Sequence, residues 1–217
     1  TGYTGMTWSG FRPSDDRCIY GYLIPSQIMA VKAMEYAEEI LRTVYQEEES
    51  AGKCRKLAGE IEDGIKRYGI TELPPFGKIY AYETDGLGNY VFMDDANCPS
   101  LLSLPYLEYC TAEDEVYKNT RAYILSEENP CYFSGSVIKG VGSPHTKKGN
   151  VWPIGIIMQA LTSGDAEEIK ECIDMLLASH AGTDYMHESI NADDPEDYTR
   201  SWFAWANSLF AELLIRV

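Results

Sequence analysis

The stretch GVGSPHTKKGNVWPIGIIMQALTS, residues 140–163, changes character at its midpoint. Its first half is a loop rich in glycine, proline, histidine and lysine. Its second half, after Pro153, is almost entirely apolar and reads as a buried helix over about 151–162. The same order, a chemically rich loop feeding an apolar helix, occurs at three other places. TWSGFRPSDD (7–16) precedes a helix over about 26–46, in which Ile28, Val31, Ala37, Ile40, Leu41 and Val44 recur at helical spacing. FMDDANCPS (92–100) precedes a short helix after Pro99. DYMHESINADDPEDYTRSW (184–202) runs into a helix over about 199–215, with Trp202, Trp205, Leu209 and Leu213 on one side.

Between these lie more charged helices, over about 51–68, 111–126 and 165–179. The first sets Leu57, Ile61 and Ile65 four apart against a solvated face of Lys53, Lys56, Glu60 and Lys66. The other two open on capping boxes, Thr111 with Asp114 and Asp165 with Glu168. A β-hairpin is expected where Ile79–Tyr82 and Tyr90–Met93 flank the turn sequence DGLGN. That makes seven helices and one hairpin, with no βαβ alternation. Apolar helices alternating with charged ones put all four rich loops at one end of the molecule. This is the layout of an α/α toroid, in which inner helices line an axial core, outer helices wrap them, and one end forms a bowl.

The 217 residues carry a net charge of −16. Nucleic acid and anionic membrane surfaces are therefore excluded as partners, because phosphate binding rests on clustered Lys and Arg. No apolar run has the length of a membrane span. The six cysteines are scattered, with no CxxC pair and no zinc spacing. They read as small buried apolar residues in a reducing, cytoplasmic compartment. The chain opens on TGYTGM, with neither an initiator methionine nor a signal peptide, and reads as a piece of something longer.

The four loops bring together Trp8, Arg12, Asp15, Asp16, Asp94, Asp95, Asn97, His145, Trp152, His187, Glu188 and Arg200. Sugar hydroxyls need paired donors and acceptors, and the apolar face of a pyranose needs a flat aromatic. Two carboxylates from distant loops then suit acid and base work across a glycosidic bond. Other readings stand beside this one. Asp94 and Asp95 lie between a strand and a helix and suit capping; Trp152 suits core packing; Glu188 suits a pair with Arg200. The four aspartates Asp15, Asp16, Asp94 and Asp95 suit Ca²⁺, although no metal or cofactor is called for. HES is not HExxH, and no GxSxG elbow, Walker loop or dinucleotide fingerprint is present.

The segments GMTWSGFRPSDDRCIYGYLIPSQIMA, MDDANCPSLLSLPYL, GSPHT with VWPIGIIMQALTS, and MHES with TRSWFAWANSLFAELL resemble glycoside hydrolase family 125, exo-α-1,6-mannosidases of bacteria and fungi. The resemblance covers essentially the whole chain. It implies an (α/α)6 toroid and inverting, metal-independent removal of terminal α-1,6-linked mannose, from N-glycan-derived or other α-1,6-mannosides. It implies Asp15 as general acid, with Asp16 the alternative, and Glu188 as general base. Trp8, Arg12, Asp16, Asp94, Asp95, Asn97, His145, Trp152 and His187 are implied as sugar-binding positions. Family members are about twice as long, so residues 1–217 correspond to the C-terminal half of the catalytic domain and the N-terminal half is the expected missing partner. A non-catalytic sugar-binding module, or a toroid glycosidase for another sugar, are the competing readings. An acid near neutral pH needs an apolar, acidic niche. Trp8, Phe11 and Asp16 are expected to supply it around Asp15, and Arg12 is expected to point at the sugar or at Asp16.

Overall fold

Pro25, at the first turn of a helix where a missing N–H costs nothing, starts the longest apolar element of the chain. The computed structural model describes residues 1–217 and is mainly helical, with small sheets between the helices. A two-residue strand β1 (Tyr22–Leu23) leads into α1 (Ile24–Ile40), which loosens into a π-helical turn at Leu41–Tyr45 and stops at Gln46 in the left-handed conformation. The charged helix α2 (Glu48–Tyr68) packs back along α1. Glu48 and Glu49 sit in its first turn and Lys66 and Arg67 in its last, matching the helix dipole.

Ile28, Val31, Ile61 and Ile65 are buried between α1 and α2 as the spacing predicts. The rest of the expected apolar stripe is not. Ile40, Val44 and Leu57 are exposed, on faces that the packing of α1 against α2 leaves open.

The hairpin is shifted and is not alone. Strands β2 (Ile70–Leu73) and β3 (Gly77–Tyr80) pair with each other. The DGLGN turn instead joins β4 (Glu83–Thr84) to β5 (Tyr90–Val91), and β4 also pairs with β1. Asp85 holds that turn by accepting from the backbone N–H of Leu87 and Asn89. No helix follows Pro99. Ser100 and Ser103 accept each other's backbone N–H, and the carboxylate of Asp94 accepts from Leu101 and Leu102, which fixes a series of turns.

Helix α3 (Glu115–Ile124) begins later than Thr111, capped by Asp114 through the N–H of Tyr117. Strands β6 (Tyr132–Ser134) and β7 (Lys139–Val141) form a second two-stranded ribbon. After β8 (Asn150–Val151) comes α4 (Pro153–Leu161), buried on nearly every side as its composition requires. Helix α5 (Ala166–Ala178) is capped by Asp165, but Glu168 does not close a box. It binds Arg121, Gln159 and Ser163 instead, tying α5 to α3 and α4. Strands β9 (Ser189–Asn191) and β10 (Tyr198–Thr199) join β8 in a three-stranded sheet. Helix α6 (Ala204–Arg216) starts beyond Trp202, which is left exposed; Leu209 and Leu213 are buried as expected. There are thus six α-helices rather than seven, and four small sheets rather than one hairpin.

Two apolar clusters result. One gathers Leu23, Ile24, Ile28, Ile61, Ile65 and Leu101 around α1 and α2. The other gathers Ile154, Ile157, Leu176, Ile190, Leu209 and Leu213 around α4, α5 and α6. Tyr106 and Phe203 pack against both, and Trp152, at the edge of the first, meets Phe203 edge-on at 6.2 Å. No helix is long and apolar enough to cross a membrane, and none of the six cysteines is in a disulfide.

Candidate active site

The segment Thr7–Tyr20 folds as an irregular hairpin whose tip is Arg12–Asp16. Ser9 and Cys18 donate to Gly21 and Gly10, and Phe11 bridges to Arg17. At the tip, Asp15 donates to the carbonyl of Arg12 and Arg12 donates to that of Asp16. The turn closes only because Asp15 adopts φ = 67°, a left-handed conformation that aspartate tolerates better than most residues. Asp15 is exposed, and its carboxylate has no hydrogen-bond or ion-pair partner of its own.

Glu188 arrives from the other apolar cluster. Its N–H donates to the carbonyl of Thr199 at 3.1 Å, at the end of the β9–β10 pairing, so the small sheet sets its height. Its carboxylate is nearly buried and meets Arg200 Nε at 3.1 Å. Arg200 has φ = 49°, which turns the chain away before α6.

Asp15 and Glu188 line one cleft, together with Asn97, His145, Trp152 and Arg200. Pro13, Ser14, Phe203 and Trp205 complete its walls. Three of the four rich loops are tied together beneath it. The Ser14 hydroxyl lies 3.2 Å from Asp16 Oδ2 and 3.3 Å from Asp95 Oδ2, and with one proton it donates to one at a time. Asp95 Oδ1 accepts from the side chain of Asn97 at 2.7 Å. His145 Nδ1 is 3.3 Å from Asp16 Oδ1. Burial pushes the carboxyl of Asp94 up to about 8, against the bonds donated by Leu101 and Leu102. Burial also raises Asp95, opposed by its bonds from Asn97 and Ser143 and by the charge of Arg12.

A cleft with two carboxyl groups from distant loops, rimmed by amide, imidazole, guanidinium and indole groups, is suited to acid and base chemistry on a polyhydroxylated substrate. Residues 1–215 match the family model for metal-independent alpha-mannosidases, GH125. The chain belongs to family GH125.

The fission yeast Schizosaccharomyces pombe has a relative, the meiotically up-regulated gene 157 protein, 49% identical over 208 residues that make up 95% of this chain and 41% of the relative. A solved Streptococcus pneumoniae structure, a metal-independent alpha mannosidase in a non-productive substrate complex with alpha-1,6-mannobiose, superposes with a TM-score of 0.96 at 48% identity. It covers 98% of this chain, which spans 50% of that one. A bacterial glucoamylase complexed with acarbose shares the fold at a TM-score of 0.65 and 16% identity, over 88% of this chain and 32% of its own. The chain thus spans about half the length of the GH125 relatives it matches.

Within this GH125 chain, several residues expected to bind sugar do other work. Arg12 points at neither the cleft nor Asp16. It is buried, with Nη2 2.7 Å from Glu83 Oε1 and its guanidinium over the Tyr82 ring. Asp94 spends its carboxylate on the two backbone N–H groups of the turn after Pro99. His187 is buried, stacked on Tyr198 at 3.9 Å, with its two ring nitrogens 3.3 Å from the carbonyls of Arg200 and His180. Trp152 is a core residue with only its edge at the cleft; its indole N–H donates to Thr146. Trp8 lies outside the cleft, against Gly21, where a Cβ would fall 2.1 Å from its Nε1. Trp8 and Phe11 are both exposed, so they do not wall in Asp15.

Asp16 stands beneath the rim rather than in it. No three or more of the His, Cys, Asp and Glu side chains are grouped to hold a metal ion, since Asp94 and Asp95 face the floor and Asp15 faces out. The residue that sequence reasoning missed is Glu83. A glutamate beside a turn reads as solvated, and only the pairing of β1 with β4 buries it.

Proposed function

We propose that this chain carries the catalytic pair of an inverting, exo-acting α-1,6-mannosidase, with Asp15 as general acid and Glu188 as general base. The observation that carries this reading is that Asp15 and Glu188, from opposite ends of the chain, line the same cleft. Inversion requires the two carboxyls to stand about 6.5–9.5 Å apart, so that a water fits between base and sugar. Family membership supports the mannosidase assignment, and the α-1,6-mannobiose held by the pneumococcal relative supports the linkage.

The division of labour follows from what each carboxyl already holds. Asp16 is engaged by Ser14 and His145, whereas Asp15 is free to meet a glycosidic oxygen. Glu188 keeps one oxygen on Arg200 Nε and leaves the other oxygen for water. Asn97 and His145 are the best placed to grip sugar hydroxyls.

The six helices are read as about half of an (α/α)6 toroid, in keeping with the glucoamylase-like fold. The remaining length of the GH125 domain supplies the rest of the bowl, covers the exposed apolar side of α1, and provides the wall that Asp15 lacks here. No metal or cofactor enters the reaction.

The deciding experiment is proton NMR of α-1,6-mannobiose hydrolysis, watching the first anomer released. β-Mannose first is the expected result. α-Mannose first means a retaining reaction and makes one of the two carboxylates a nucleophile. No mannose from the full-length protein leaves a sugar-binding module or another substrate.

A further inference from the structure

Glu83 does not line the cleft, yet both of its carboxylate oxygens are fully engaged. It is wholly buried on β4. Its Oε1 accepts from Arg12 Nε and Nη2, both at 2.7 Å. Its Oε2 accepts from the backbone N–H of Ile19 at 2.7 Å and of Tyr20 at 2.8 Å. Arg12 begins the tip of the Thr7–Tyr20 hairpin, and Ile19 and Tyr20 lie on its returning arm. One carboxylate therefore grips both arms of the hairpin that presents Asp15.

Asp15 has no side-chain bond of its own, so its position is set by its backbone alone. That backbone is bonded to Arg12: Asp15 N–H donates to the Arg12 carbonyl, and the Arg12 N–H donates to the carbonyl of Asp16. Moving Arg12 moves Asp15. A left-handed aspartate at φ = 67° has little tendency to hold itself there once the arms separate.

We propose that Glu83 is a positioning residue for Asp15, acting through Arg12 to hold the proton donor at a fixed place over the cleft. The proposal rests on the assignment of Asp15 as general acid. It makes the pair on β4 part of the reaction's geometry and not merely of the fold's stability.

The variant to test is Glu83→Gln, which keeps the shape and removes the charge that faces Arg12. Amide hydrogen exchange is measured on this chain, because it needs no turnover. The N–H groups of Arg12 and Asp15 touch no atom of Glu83, and their exchange is expected to accelerate about tenfold or more while α5 is unchanged. Acceleration confined to Ile19 and Tyr20, or equal acceleration throughout, overturns the proposal.

The second readout compares two substrates in the full-length protein. On α-1,6-mannobiose, whose leaving group needs a proton, Glu83→Gln is expected to lower kcat about 10²-fold with little change in KM. On a nitrophenyl α-mannoside with an activated leaving group, the loss is expected to be small, as for Asp15→Asn. Equal losses on both substrates overturn the positioning role. If wild type cleaves neither substrate, the mannosidase reading fails, and the exchange measurement still decides whether the clamp holds the tip.

Discussion

Arg200 Nε sits 3.1 Å from Glu188 Oε1, and the same guanidinium lies 5.6 Å from the centre of the Phe203 ring. The carboxylate is nearly buried while the arginine is 61% exposed, so the pair is wet on one side. Arg200→Ala is expected to change stability by less than about 1 kcal/mol, since solvent screens such pairs. It is expected to lower kcat about tenfold or more by freeing Glu188, the proposed base, to swing. Thermal melts beside kinetics separate the two; a large drop in Tm would make Arg200 structural instead.

Glu188→Ala is expected to reduce turnover by about 10²–10⁴-fold. Mannose affinity, measured by calorimetry, is expected to stay largely intact, because in the proposed role Glu188 acts on water rather than gripping the sugar. An unchanged kcat removes Glu188 from the mechanism.

Asp94 gives a pH test. Its folded carboxyl is raised to about 8, whereas an unfolded aspartate titrates near about 4. Between those values the folded chain holds the proton and the unfolded chain has lost it, so the contribution of Asp94 to stability is complete below about 4 and declines as pH rises through about 8. Urea melts at pH 5 and pH 8 are expected to show a steeper decline for wild type than for Asp94→Asn. Parallel declines would mean that Asp94 titrates alike in both states.

Three glycines of α2 give opposite signs. A Cβ on Gly64 would fall 2.6 Å from the Thr4 carbonyl oxygen and 2.7 Å from Met6 Cγ, while Gly52 and Gly59 have nothing within 4 Å. Gly64→Ala is expected to destabilise by about 1–3 kcal/mol through overpacking. Gly52→Ala and Gly59→Ala are expected to stabilise by up to about 1 kcal/mol each, as alanine does in an open helix position. Loss at all three sites in denaturant titrations would contradict the packing of residues 4–6 on α2.

Tyr82 carries a buried hydroxyl with no hydrogen-bond partner, in a ring that lies under Arg12. Tyr82→Phe keeps the ring and removes the unpaired group, so it is expected to be neutral or stabilising by about 1 kcal/mol. A loss of more than about 2 kcal/mol would reveal a partner for the hydroxyl.

The sequence is most readable where periodicity runs long. α1, α2, α4 and α5 fall close to their expected spans because several turns of apolar spacing point the same way. It is least readable where the backbone is settled by single side chains. Asp94 and the Ser100–Ser103 exchange replace a helix with turns, and the left-handed Arg200 helps delay α6. Two-residue strands such as β4 are too short for alternation to register, so the hairpin is displaced and Glu83 is overlooked. The candidate catalytic pair was legible from its loops and the family resemblance. The sugar-binding roles were less so, since Arg12, Asp94 and His187 are polar residues of the kind a site uses, here consumed by an ion pair, a turn and a stacked ring.

The two carboxylates belong to different apolar clusters, one around α1 and α2 and one around α4 to α6, with Trp152, Phe203 and Tyr106 along the join. The gap between Asp15 and Glu188 therefore depends on that join as well as on the hairpin that carries Asp15. Warming that softens the contact between the two bodies would let the gap drift while each body stays folded. Such an enzyme would lose its rate several degrees before its circular dichroism changes, and regain it on cooling.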